Sequence, residues 1–396
     1  MARRSNTAKP TRPGVFAELQ VHIDARIQRG EPIIPLHIGD TYLAPPEGAF
    51  IDRQVVVASD YAYGPTAGLR PLRAAIAEKL GRVKGAPPVD PDHEVLVGTG
   101  GTHAFFCVAS ALLGEGDEVI LAAPYWPLTP GVFSSVGAVT REVSITTRWL
   151  RGESFDLADA LATALTPKTR AIYFASPNNP DGKVWSASDL ERLAAFAEEH
   201  DLWVFADEVY ADLVYEGAHV SMRTIGGGRL HDRVIVIHSL SKSYALAGLR
   251  IGYVVAPRAV IEAARRISVH TSFNVPTLLQ RSAIAALQTG DAWLEKARTT
   301  YASAREVVRS ELEREGIRAV SGEGATYFFV DATDALRGRP LAVLLERALA
   351  EGVLITPGEA SGAEYTAWAR ICITACPPES LKEGIRSLAR AFRALE

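Results

Sequence analysis

Cysteine is scarce: there are three in 396 residues, Cys107, Cys372 and Cys376, an odd number and too few for a disulfide framework. Cys372 and Cys376 lack companion histidines at zinc-ligand spacing, so no metal site is expected, and the three read as reduced thiols of a cytoplasmic protein. An excess of one charge is also lacking. Forty-two Lys and Arg against 46 Asp and Glu give a net charge of -4, which leaves no global basic field to draw nucleic acid or an anionic membrane. No apolar run reaches transmembrane length, and none follows Arg3, Arg4, Lys9 and Arg12 as a signal peptide requires, so the stretch before Pro13 reads as a loose tail. No internal repeat recurs. These absences leave a compact protein acting on a small molecule.

What is present is apolar material in short pieces. With 47% hydrophobic and 22% charged residues, the chain is long enough for two domains and a large core. Segments 94–97, 119–121, 139–145, 170–174, 202–206, 234–237 and 251–255 read as strands, with helical patterns between several of them. In 188–200, Leu190, Leu193, Ala194 and Ala197 share a face, and Ser188 and Glu191 have capping-box spacing. This alternation predicts an α/β fold: a large domain with a mostly parallel seven-stranded sheet sandwiched by helices. Beyond Pro257 the pattern turns helical, then gives short strands and a last helix starting at Ser380 with Glu383 as its capping partner. That part is expected to form a smaller α+β domain built from both chain ends, with boundaries at 1–59, 60–285 and 286–396.

Ligands of such sheets bind beyond the carboxyl ends of the strands, and the informative polar residues fall there. Gly100, Gly101 and Thr102 follow one strand and open a helix, an arrangement that suits a single phosphate or serves only as a tight turn. Tyr125 and Trp126 offer a flat surface on which a planar ring stacks, or plain core. Asn179 lies in Ser176-Pro-Asn-Asn-Pro180, and Asp207 and Tyr210 in Asp-Glu-Val-Tyr. Lys242 sits in Ser239-Leu-Ser-Lys242, with Ser241 beside it and Arg250 eight residues on. A partly desolvated lysine there can form a Schiff base. Taken singly, Lys242 could be a solvated surface lysine, Asp207 a helix cap, Asn179 a turn residue and Arg250 a surface ion pair.

A ring-bearing aldehyde cofactor with a phosphate, such as pyridoxal phosphate, would use every one of these groups. Lys242 supplies the amine, and Asp207 a carboxylate for the ring nitrogen. Asn179 and Tyr210 can bond the ring's phenolate oxygen. Arg250, Ser239, Ser241 and the Gly101 and Thr102 amides can hold the phosphate, and Trp126 can stack on the ring.

In family order the chain carries Tyr63-Gly-Pro-Thr-Ala-Gly-Leu-Arg70, Gly100-Gly-Thr102, Pro124-Tyr-Trp126, Asn178-Asn-Pro-Asp-Gly182, Asp207-Glu-Val-Tyr210, Ser239-Leu-Ser-Lys242 and Gly248-Leu-Arg-Ile-Gly252. From about Pro35 to its end it resembles the fold-type I pyridoxal-phosphate enzymes of the class I and II aminotransferase family. The resemblance implies a homodimer with shared active sites, in which Tyr63 reaches the phosphate of the neighbouring subunit. It also implies that Arg370 binds the substrate α-carboxylate, as a guanidinium fork suits, and that Gly39 closes over that carboxylate. Asp181 stands where the family usually has threonine, and Cys372 where serine is common.

The expected reaction is transfer of an amino group between an L-amino acid and a 2-oxo acid, with Lys242 as covalent anchor and general acid/base. A β-lyase, a cyclising enzyme or an oxidase of a basic amino acid shares the scaffold. A non-catalytic cofactor module is the rival of another class, and the presence of both Lys242 and Arg370 speaks against it. Asp40, Tyr42 and Glu359 are candidates for a side-chain pocket favouring a basic substrate.

Overall fold

The computed structural model describes residues 15–52, 56–228 and 230–395; the basic tail falls outside them. A seven-stranded sheet organises the larger part. Its strands in chain order are β1 (Val95–Thr99), β2 (Glu118–Ala123), β3 (Val139–Ser144), β4 (Thr169–Ala175), β5 (Trp203–Asp207), β6 (Val234–Ser239) and β7 (Ile251–Val255). They lie in the order β1-β7-β6-β5-β4-β2-β3. β7 runs antiparallel to both neighbours and the remaining pairs are parallel, as the sequence pattern predicts.

Apart from the edge strand β3, the strands are mostly apolar and buried because helices cover both faces. Alternate residues go to different cores. Val119, Leu121, Ala171, Tyr173 and Phe205 enter one, while Ile120, Ala122, Ile172, Phe174, Val204 and Ala206 enter the other. On the first face the helix Gly100–Leu112 packs beside the helix Arg258–Thr271, and on the second lies the helix Ala187–Glu199. The cap of that last helix is Ser186, whose hydroxyl accepts from the Asp189 amide at 3.2 Å. The expected pair Ser188 and Glu191 sits two residues too late, because Ser186 already has the extended backbone a cap needs.

A second sheet, ordered β10-β11-β9-β8, combines β8 (Ala319–Val320), β9 (Tyr327–Asp331), β10 (Thr356–Pro357) and β11 (Trp368–Cys372), all antiparallel. Its core includes Leu36 from the front of the chain, and Ile34 bridges to Val353. The last helix, Pro378–Arg393, begins before the expected Ser380, on a proline in its first turn and with no side-chain cap; proline is pre-set for that position. Its Leu381, Ile385 and Leu388 are buried in the same core.

Candidate active site

The carboxyl ends of β1, β4, β5 and β6 meet β11 and the segment around Gly39 at a cavity of about 440 Å³. The charged groups that line it, among the described residues, are Lys242, Arg250, Arg370 and Asp207.

β6 ends at Ser239, which caps the short turn Leu240–Ser243 by accepting from the Ser241 amide at 3.2 Å. The Ser239 hydroxyl also donates to that of Ser241 at 2.9 Å, and both line the cavity. Lys242 follows, and its Nζ donates to the Gly39 carbonyl. The loop closes through Arg250, whose φ of 54° places it in the left-handed region just before β7, a conformation an ordinary side chain adopts only under tertiary constraint.

Gly100 opens the helix Gly100–Leu112 at φ 80°. A side chain there would be strained by the positive φ and would push the Arg250 guanidinium aside. Gly100 therefore stands behind the cavity wall, while Gly101 and Thr102 line it with the helix N-terminus. The aromatic pair divides. Trp126 faces the cavity, whereas Tyr125 enters the core and its hydroxyl reaches Glu142.

Asp207 closes β5. Burial pushes its carboxyl up to about 6, against hydrogen bonds from Tyr173 Oη at 2.7 Å and the Val209 amide at 3.1 Å. Tyr210 is buried, and its hydroxyl pairs with that of Tyr327 at 2.5 Å. Arg370, on β11, is 2% exposed. Its Nη1 donates to Asn179 Oδ1 at 3.0 Å, and its Nη2 to the His37 carbonyl at 2.8 Å and Thr356 Oγ1 at 3.2 Å. The guanidinium lies 4.4 Å above the Tyr327 ring, and its Nε is buried with no partner among the described residues. Burial and this guanidinium push His37 down to about 4, so its imidazole is neutral at pH 7.

The cavity thus gathers Gly39, Gly101, Thr102, Trp126, Asn179, Asp207, Tyr210, Ser239, Ser241, Lys242, Arg250 and Arg370. Tyr63 lies elsewhere: it is 88% exposed and meets Phe273 edge-on at 5.0 Å. Asp40, Tyr42 and Glu359 do not border the cavity. The Asp40 carboxylate accepts from the Thr41 amide at 2.9 Å, and Glu359 is exposed. Asp181 also points away: it is buried among Thr146, Asn178 and the Lys183 amide, where it ties the Asn179 loop together. Sequence reasoning missed Tyr173, Tyr327, His37 and Thr356. The two tyrosines sit in apolar strand runs that read as core, and His37 contributes a backbone carbonyl with no sequence signature.

The model of the family described as aminotransferase class I and II matches residues 57–388. A probable aspartate/prephenate aminotransferase of Thermus aquaticus is 32% identical over 98% of this chain and 99% of its own length. An arginine–pyruvate transaminase of Pseudomonas aeruginosa is 34% identical over 92% of this chain and 91% of its own. Among solved structures, the Thermus thermophilus aspartate aminotransferase with maleate superposes with a TM-score of 0.89 at 30% identity, covering 99% of this chain and all of that one.

Proposed function

The chain belongs to the aminotransferase class I and II family and is an aminotransferase; from that premise we propose that it works with pyridoxal phosphate held on Lys242, in an active site shared between two subunits. The observation that carries the reading is the meeting of Lys242, Asp207 and Arg370 in one cavity of about 440 Å³. The donor set fits the cofactor: an amine, a carboxylate at the end of a buried strand, and a cup of amides, hydroxyls and one guanidinium. Bound there, pyridoxal phosphate supplies an aldehyde that condenses with amines and a ring that takes up the electron pair left at the substrate's α-carbon.

The chain's own groups do the rest. Arg250, Ser239, Ser241 and the Gly101 and Thr102 amides hold the dianionic phosphate at a helix N-terminus. Asp207 keeps a proton on the ring nitrogen, and Trp126 covers the ring. Tyr210 and the Asn179 amide nitrogen offer donors to the phenolate oxygen. Arg370 binds the substrate carboxylate; its position is set beforehand by Asn179, His37 and Thr356, so little ordering is left for the substrate to impose. The Lys242 Nζ takes the substrate's α-proton as general base and carries it as general acid.

The family acts on amino acids and keto acids. Of the candidates for a side-chain pocket, Asp40 lines a small cavity with Gly39, Ser241 and Lys242, while Tyr42 and Glu359 line neither that cavity nor the larger one. A shared site is supported by the exposed Phe50, Ile51, Val57, Tyr61, Tyr63 and Phe273, an apolar set that a second copy would cover; Tyr63 is proposed to reach the partner's phosphate. Borohydride reduction followed by peptide mapping tests the reading. The pyridoxyl label is expected on the Lys242 peptide, and a label elsewhere overturns it. Release of ammonia with no oxo acid added would instead favour the lyase alternative.

A further inference from the structure

Tyr173 is fully buried in the middle of β4, where phenylalanine would fill the same space. Its surroundings are phenylalanines. Phe105 stacks on it at 5.7 Å, Phe133 meets it edge-on at 6.1 Å, and Phe205 stands opposite it in the strand register. The hydroxyl nevertheless ends 2.7 Å from Asp207 Oδ2. Strand geometry makes this contact possible. β4 and β5 are parallel, with Tyr173 paired to Phe205 and Ala175 to Asp207. Positions two apart share a face, so Tyr173 and Asp207 are diagonal neighbours on one side of the sheet, within reach of a long side chain.

We propose that Tyr173 is the positioning residue of Asp207, holding its carboxylate ionised and in one orientation for the ring nitrogen of pyridoxal phosphate. The inference rests on the role given to Asp207 above. A donor to a carboxylate favours its charged form, and it does so here against burial and against Glu208, the next residue in the chain, both of which raise the Asp207 pKa. The Tyr173 ring is held by its aromatic cage, so Oδ2 is fixed while the Val209 amide fixes Oδ1. Without the hydroxyl the carboxylate becomes more basic, and the proton it shares with the ring nitrogen moves toward Asp207.

The test is Tyr173→Phe, which keeps the ring and removes the donor. After the cofactor is stripped and titrated back, its dissociation constant is expected to rise about tenfold, the size of a lost hydrogen bond to a charged group. In reconstituted protein carrying ring-15N pyridoxal phosphate, the nitrogen resonance is expected to move from the protonated toward the unprotonated position. In an Asp207→Ala background the same substitution is expected to leave the dissociation constant within about twofold, as a pair that acts as one unit requires. Wild-type affinity and an unmoved resonance in Tyr173→Phe overturn the proposal. So does an equal loss in the Asp207→Ala background, or a loss matched by a fall in the melting temperature of the stripped protein, either of which marks a packing role. Wild-type affinity in Asp207→Ala alone strikes at the role of Asp207 and so at the reading of the site.

Discussion

Arg370 is a fork held by both of its terminal nitrogens and by its face. Two terminal nitrogens bond three oxygens and the face covers Tyr327, an arrangement lysine cannot reproduce because it offers a point charge on a flexible stem. Arg370→Lys is expected to raise KM for both the amino acid and the oxo acid by roughly 30- to 100-fold, the loss of a bidentate charge-assisted pair. Steady-state kinetics with each substrate varied in turn checks this, and a change confined to one substrate would contradict a shared carboxylate site. Asp181 makes a different point, since it is buried but removed from the chemistry. Burial raises it from 3.8 to about 6 although Thr146, Asn178 and the Lys183 amide all donate to it. Between those values the native chain keeps a proton that the unfolded chain has lost, so this group's share of stability falls as pH rises through the window and is fully lost above it. In the reconstituted protein, Asp181→Asn is expected to flatten the pH dependence of the urea midpoint between about pH 4 and 6, by at most about 2–3 kcal/mol; parallel curves would refute the assignment.

Elements were legible in the sequence where pattern alone decides them. Short strand segments, most of them apolar, with helical patterns between several of them point to a covered, mostly parallel sheet, and the rule that ligands sit past the strand ends turned scattered polar residues into one cavity. The reversal of β7 was not legible, because an antiparallel strand with both faces covered has the same apolar run as a parallel one. Nor were Tyr173 and Tyr327, whose partners lie on other strands and are set by register rather than by neighbours in the chain. Asp40 lines not the main cavity but a small one beside it, with Gly39, Ser241 and Lys242. The helix Gly100–Leu112 yields a prediction at this scale. Gly100→Ala adds a methyl at a positive φ and against the Arg250 guanidinium, and is expected to weaken cofactor affinity while leaving Arg370-dependent carboxylate binding in place. Titrations with pyridoxal phosphate and with a dicarboxylate analogue separate the two.

At the scale of the molecule, Tyr63 is proposed to complete the site of a second copy. Mixing is the test. Subunits carrying Tyr63→Ala and subunits carrying Lys242→Ala, each impaired alone, are expected to regain activity when dissociated and reassociated, because a hybrid dimer contains one site with both residues intact. Failure to recover, with hybrids verified by native mass spectrometry, would place Tyr63 outside the site.

Arg370 draws its partners from far apart along the chain: Asn179 lies 191 residues away and the His37 carbonyl 333, while Thr356 is 14 away. Contacts that close such long loops form slowly during folding. The guanidinium therefore reaches its binding geometry only when the front of the chain, the large sheet and the small sheet have all come together. Uptake of a carboxylate ligand during refolding is expected to lag behind recovery of secondary structure, which makes this one arginine a natural clock for the final step of assembly.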